Sequence, residues 1–151
     1  MSDVYDFMLA KDFMKGMTAP RSDPDCLPPL FWIMSEKFDG YRARWIHEIR
    51  IFISRNQKEF KGTPEWFSDL MPDENLDGEL WCGRDNFNAM GVVRKHNPDP
   101  EEWIPVKYIV YDLPDYEGTF HERLIQLRKI IQRETKKWEK ARKELPEPYC
   151  Y

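Results

Sequence analysis

Three short runs of strand-forming residues crowd the first third of the chain, and this crowding most restricts how the chain can fold. Residues 30–35, 41–46 and 50–54 are rich in aromatic and β-branched side chains, and each run has the length of one strand. His47 and Glu48 join the second and third runs as a short hairpin. Strands connected this directly pair antiparallel, because a parallel pair needs a crossover of a dozen or more residues.

Helices are predicted at three places further along the chain. Thr63 and Pro64 predict a helix start, with threonine as the N-cap and proline at the first helical position. Residues 87–93 predict a short helix or turn, and residues 120–144 predict one long helix. The apolar face of that long helix is predicted to consist of Leu124, Leu127, Ile130, Ile131 and Trp138.

Two more strands are predicted between these helices, at residues 76–81 and 106–111. Strands joined largely by hairpins and interrupted by helices predict an α+β fold with a mostly antiparallel sheet. A parallel nucleotide-binding fold is disfavoured, because no Gly-rich loop leads from a strand into a helix. Residues 1–29 contain Gly16 and four prolines, so they are predicted to be an extended lead-in to a domain over residues 30–151.

Composition excludes several classes of protein. The 151 residues suffice for one domain with a real core, and the net charge of −4 argues against a uniformly basic nucleic-acid coat. The cysteines are too widely spaced for a zinc site or a disulfide framework, which predicts a reducing, intracellular compartment, cytoplasmic or nuclear. Neither a secretory signal nor an apolar run of membrane-spanning length is present, so no membrane partner is expected.

The sequence Ser35-Glu36-Lys37-Phe38-Asp39-Gly40-Tyr41-Arg42 lies between two predicted strands and contains the best candidate nucleophile. A lysine at a strand end beside a tight turn can be partly desolvated, and desolvation favours the neutral, nucleophilic amine. Arg42 follows on the next strand, where its planar guanidinium could hold the same anionic substrate. Lys37 taken alone is more simply a surface lysine paired with an aspartate, so other motifs must decide.

Four further motifs follow in order. They are Ser54-Arg55; Pro64-Glu65-Trp66-Phe67; Leu76-Asp77-Gly78-Glu79-Leu80-Trp81 with Gly83-Arg84; and Tyr111-Asp112-Leu113-Pro114 with Phe120 and Arg123. Together with the lysine motif, this set resembles the adenylation domain of ATP-dependent DNA ligases, and most closely the minimal ligases of bacteria and large DNA viruses. The resemblance covers roughly residues 30–125 and implies a mostly antiparallel nucleotidyltransferase (ATP-grasp-like) fold.

The resemblance implies a role for each of five residues. Lys37 would attack the α-phosphate of ATP and retain AMP, and Arg42 would hold the ribose and the terminus of a DNA nick. Arg55 would contact the 5′-phosphate of the nick. Glu79 would bind a divalent metal, Mg²⁺ or Mn²⁺, or orient the nucleotide, and Tyr111 would stack on the adenine. The implied substrates are ATP and nicked double-stranded DNA, and the expected state is a monomer.

Alternatives remain for the function and for single residues. An RNA ligase or an mRNA-capping nucleotidyltransferase shares the lysine motif, and a fragment that only binds nucleotide or DNA is a non-catalytic alternative. Asp77-Gly78 alone is typical of a turn, Tyr111 alone of a core residue, and Arg55 alone of a solvated strand end. The basic residues of the long helix could follow phosphates, although a solvated outer face explains them more simply.

The sequence departs from the ligase pattern after Arg123. Neither the second metal carboxylate motif nor the Lys-x-Lys strand is found there, and no OB-fold domain follows. The chain is therefore interpreted as the amino-terminal part of a ligase, and a missing carboxyl-terminal part is a possible partner. We expect that the chain alone does not seal nicks and adenylates itself weakly at most, because the charge on the α-phosphate would be poorly neutralised.

Overall fold

The protein is described by a computed structural model over residues 35–142. The chain divides into two units, Met1–Lys37 and Phe38–Tyr151. Residues 35–37 of the first unit are exposed and lack regular secondary structure. The predicted lead-in over residues 1–29 and most of the first predicted strand lie outside the described residues.

A four-stranded antiparallel sheet organises the second unit. Its strands are β1 (Tyr41–Ile46), β2 (Ile51–Ser54), β3 (Leu76–Trp81) and β4 (Lys107–Asp112), in the spatial order β2-β1-β3-β4. Neighbouring strands all pair antiparallel, so the predicted α+β class with a mostly antiparallel sheet is confirmed. β1 and β3 begin and end as predicted, whereas β2 and β4 each begin one residue later than predicted.

Helical segments lie between and after the strands. They are α1 (Glu65–Asp69), two 3₁₀ helices (Phe87–Arg94 and Pro100–Trp103) and the long helix α2 (Phe120–Arg142). Among residues 35–142 no helix combines the length and apolarity needed to cross a membrane.

Two predictions about the helices are wrong, and one helix was not predicted. Thr63 does not cap α1: its hydroxyl donates to the Phe60 carbonyl, and Pro64 occupies the N-cap position. Ile131 is exposed rather than part of the buried face of α2, which contributes Leu127 and Ile130 to the core. The 3₁₀ helix Pro100–Trp103 was not predicted, although the Asp99 side chain and Glu102 form a capping box at its start.

One face of the sheet carries the core. Ala43 and Trp45 on β1 are fully buried and lie opposite Gly78 and Leu76 on β3. The core continues through residues of α1, both 3₁₀ helices and α2: Phe67, Met90, Val93, Trp103, Leu127 and Ile130. Because side chains alternate between the two faces of a strand, Arg42 and Glu79 occupy the opposite face.

Gly78 has a packing role on the core side of β3. A Cβ atom there would come within 2.3 Å of the Ile109 carbonyl oxygen and 2.9 Å of the Tyr108 ring. Without one, Tyr108 reaches across β3, and its hydroxyl lies 3.0 Å from the Ala43 and Leu76 carbonyl oxygens. Gly78 of the Leu-Asp-Gly-Glu motif therefore lies within a strand and not in a turn. Its lack of a side chain leaves room for Tyr108.

Candidate active site

A cluster of polar side chains occupies the sheet face opposite the core. It contains Arg42 of β1, Asp77 and Glu79 of β3, and Tyr111 of β4. Arg42 lies directly opposite Glu79 in the β1–β3 register, so the two side chains emerge side by side. The structure thus brings together three of the five residues that the sequence singled out.

Arg42 is held by a two-pronged ion pair with Asp77. Its Nε donates to Asp77 Oδ1 at 2.8 Å, and its Nη2 donates to Asp77 Oδ2 at 2.5 Å. The Asp77 side chain is only 2% exposed, while that of Arg42 is 23% exposed. Burial alone would lower the pKa of Arg42, but the hydrogen bond and charge of Asp77 raise it above its ordinary value. Arg42 is therefore a fixed cation that still has access to solvent.

Glu79 has both carboxylate oxygens engaged by hydrogen-bond donors. The backbone N–H of Gly40 donates to Oε1 at 2.7 Å, and the Tyr111 hydroxyl donates to Oε2 at 2.8 Å. The Gly40 contact requires a glycine, because a Cβ atom there would come within 2.1 Å of the Leu80 carbonyl oxygen. The Asp-Gly of the lysine motif thus allows the backbone to approach β3 closely and to donate to Glu79.

Tyr111 lies at an irregularity in the sheet. Asp77 pairs with Asp112 and Gly78 with Val110, so Tyr111 is the extra residue of a β-bulge on β4. The Arg42 guanidinium carbon lies 5.2 Å from the centre of its ring, and the Phe38 ring lies 6.4 Å away, inclined by 24°. Burial, followed by the hydrogen bond with Glu79, raises the pKa of Tyr111 well above its ordinary value. The hydroxyl is therefore protonated at neutral pH and acts as a donor.

The other two predicted site residues lie outside this hydrogen-bonded cluster. Arg55 is exposed in the turn that follows β2. It comes directly after Ser54, which pairs with Ala43, so it lies at the same end of the sheet as Arg42. Lys37 is exposed in the irregular residues 35–37, and its assignment as nucleophile rests on the sequence motif alone.

Two residues of the site were missed from the sequence. Asp77 was passed over because Asp-Gly is typical of a turn, although alternation along β3 places it on the same face as Glu79. Phe38 packs edge-on against Trp81 at 5.1 Å and lies against Tyr111, so it adds an aromatic wall. Its position directly after Lys37 in the lysine motif is the sequence feature that could have placed Phe38 in the site.

Arg123 makes structural contacts within the domain. Its guanidinium bonds both oxygens of the buried Asp112 at 2.7 and 3.1 Å and donates to the Gly118 carbonyl at 2.9 Å. Thr119 and Glu122 form a reciprocal capping pair at the start of α2. The Phe-x-x-Arg motif therefore joins the first turn of α2 to the end of β4.

A divalent metal would find few protein ligands here. Among residues 35–142 no group of three or more His, Cys, Asp or Glu side chains could hold a metal ion. Both oxygens of Asp77 bond Arg42, whereas each oxygen of Glu79 accepts one bond and retains a second lone pair. Because Mg²⁺ commonly takes one or two carboxylates with substrate phosphates and water as the other ligands, Glu79 fits as a single ligand.

The fold and this cluster define an α+β domain whose antiparallel sheet carries charged and aromatic side chains on the face opposite the core. The sequence is 33% identical over 97 residues to a DNA ligase of Haemophilus influenzae, a match that covers 64% of this chain and 35% of that ligase. A solved structure from a structure–function study of Lig E DNA ligases, which concerns DNA binding with a minimal scaffold, superimposes with a TM-score of 0.58 at 32% identity. That match covers 66% of this chain and 38% of the other. No family model matches the chain.

These two matches support a DNA ligase domain in this chain, which confirms the resemblance to DNA ligases seen in the sequence. The chain spans little more than a third of the length of the relatives that it matches.

Proposed function

We propose that this chain carries the nucleotide-binding part of an ATP-dependent DNA ligase. The observation that carries the proposal is the meeting of Arg42, Glu79 and Tyr111 on one sheet face, with the Glu79–Tyr111 hydrogen bond joining two strands. These are residues to which the ligase resemblance assigns the nucleotide. The two ligase relatives support the same function.

In this proposal Lys37 is the nucleophile. Its neutral amine attacks the α-phosphorus of ATP, a nitrogen–phosphorus bond forms, and the bond to pyrophosphate breaks as the amine loses a proton to solvent. Bound Mg²⁺ would neutralise charge on the phosphates, and Glu79 is the carboxylate that would hold it. Such transfers depend mainly on positioning and charge neutralisation, which a rigid cation such as Arg42 also provides.

The remaining residues would hold the base and the DNA. The half-buried ring of Tyr111 would stack on the adenine, a contact typically worth about 1–3 kcal/mol per base. Arg55, exposed at the same end of the sheet as Arg42, would contact the 5′-phosphate of nicked duplex DNA.

Transfer of radiolabelled AMP tests the proposal. The chain is incubated with Mg²⁺ and ATP labelled at the α-phosphate, denatured and resolved on a gel. We expect label from ATP that disappears in Lys37→Ala and persists in Lys61→Ala, a matched change of an exposed lysine.

Three outcomes would contradict the proposal. Label that survives Lys37→Ala would show a different nucleophile. Preferential labelling by GTP would favour a capping nucleotidyltransferase. A chain that neither takes up label nor binds ATP in an equilibrium titration is not a nucleotide-binding ligase portion.

A further inference from the structure

The Tyr111 hydroxyl makes a contact that stacking on a base does not require. A phenylalanine at this position would offer the same ring to a purine, yet the oxygen of Tyr111 donates to Glu79 Oε2 at 2.8 Å. We propose that Tyr111 is a positioning residue, whose hydroxyl fixes the Glu79 carboxylate in the orientation that receives the nucleotide. This inference rests on the proposed function and deepens it, because it couples the ring proposed to stack on the adenine, Tyr111, to the carboxylate proposed to hold the metal, Glu79.

Glu79 has two fixed points. The Gly40 N–H holds Oε1 at 2.7 Å from a loop that packs against β3, and Tyr111 holds Oε2 from the neighbouring strand. A carboxylate anchored at one oxygen only could still rotate about its last side-chain bond. Anchoring at both oxygens selects one orientation and leaves one lone pair on each oxygen for a ligand.

The β-bulge supplies the position from which Tyr111 reaches Glu79. Val110 and Asp112 pair with consecutive residues of β3, so the residue between them is free of the regular register. A bulge of this kind commonly re-aims a side chain beside a functional site. The ring then lies against Arg42 while its hydroxyl reaches Glu79, and a single residue contacts both charged groups.

Fixing Glu79 before the nucleotide arrives lowers the ordering cost of binding. A side chain that is already immobilised loses little further freedom when a ligand meets it. The hydroxyl should therefore act on affinity through Glu79, and its effect should vanish when the Glu79 carboxylate is absent. A ring that acts by stacking alone would show no such dependence.

A double-mutant cycle on ATP affinity tests this dependence. ATP is titrated in Mg²⁺ buffer against the full chain and the variants Tyr111→Phe, Glu79→Ala and their combination, with tryptophan fluorescence as the signal. Because the released Glu79 side chain must be ordered again when ATP binds, we expect Tyr111→Phe to bind ATP about fivefold more weakly. In the Glu79→Ala background the same change should alter affinity by less than about twofold.

Two further variants separate the ring from the hydroxyl. Tyr111→Leu removes the stacking surface as well and should weaken binding in both backgrounds. Tyr116→Phe removes an exposed hydroxyl and serves as the matched control, with affinity equal to that of the unmodified chain. Thermal melting of each variant shows whether it is folded, and Tyr111→Phe loses only one oxygen atom.

The outcomes distinguish this inference from the proposed function. If the unmodified chain binds ATP and Tyr111→Phe binds it equally well, the positioning role is wrong and the proposed function stands. Equal weakening by Tyr111→Phe with and without the Glu79 carboxylate would show that the hydroxyl acts directly, which also overturns the inference. An unmodified chain that binds no ATP overturns both.

Discussion

The ion pair between Arg42 and Asp77 should stabilise the protein far more than an exposed pair with the same closest nitrogen–oxygen distance. Arg50 and Asp69 supply the comparison: both pairs have a nitrogen–oxygen distance of 2.5 Å, but the Asp69 side chain is 61% exposed and that of Asp77 only 2%. Removing one partner of a buried pair costs about 3–5 kcal/mol. Because Arg42 keeps some access to water, we expect Asp77→Ala to cost about 3 kcal/mol, near the lower limit.

Thermal unfolding of the two alanine variants measures this difference. For a chain of this size about 1 kcal/mol lowers Tm by about 2–4 °C, so Asp77→Ala should lower it by about 6–12 °C. Asp69→Ala removes a surface pair worth about 0–1 kcal/mol and should lower Tm by no more than about 4 °C. Equal shifts for the two variants would refute the argument, because they would show that burial does not set the value of the Arg42–Asp77 pair.

Two further predictions concern the glycine of β3 and the start of α2. Gly78→Ala should destabilise the fold by about 1–3 kcal/mol in urea unfolding, since its Cβ would meet backbone at Ile109, and an unchanged midpoint would contradict this. At Glu122, hydrogen bonds from the backbone N–H and then the side chain of Thr119 lower the pKa of the carboxyl. The stability that Glu122 contributes is therefore complete above its ordinary pKa and is lost as the pH falls through the lowered one. Glu122→Gln should be less stable than the unmodified chain near neutral pH, and the difference should shrink below about pH 4; a difference that does not change with pH would contradict this.

Local patterning predicted the strands because apolar and polar residues alternate along β1 and β3. In β1 the alternation of Ala43 and Trp45 with Arg42 and Arg44 indicates the side that faces the core, although Arg44 is itself buried. The limits of β1 and β3 were predicted correctly for this reason. The short 3₁₀ helix ending at Trp103 was missed, because only one turn of it exists to show a pattern.

The site could be predicted as a set of residues but not as a geometry. Arg42, Glu79 and Tyr111 came from motifs, while their meeting depends on strand register and on the bulge at Tyr111, neither of which a single sequence determines. Asp77 was missed because Asp-Gly is typical of a turn, and only the fold shows that this side chain is buried against Arg42. The assignments of Lys37 and Arg55 stay predictions.

The central claim is that ATP binds on the polar sheet face around Glu79, and amide NMR tests it most directly. Gly40 is the best probe, because its N–H donates to Glu79 and will respond to any ligand that engages the carboxylate. On addition of ATP with Mg²⁺, we predict that the largest shifts relative to Mg²⁺ alone occur at Gly40, Arg42, Glu79 and Tyr111. Unchanged amide signals at these positions under saturating ATP, with shifts confined to α1 or the carboxyl-terminal half of α2, would contradict the account.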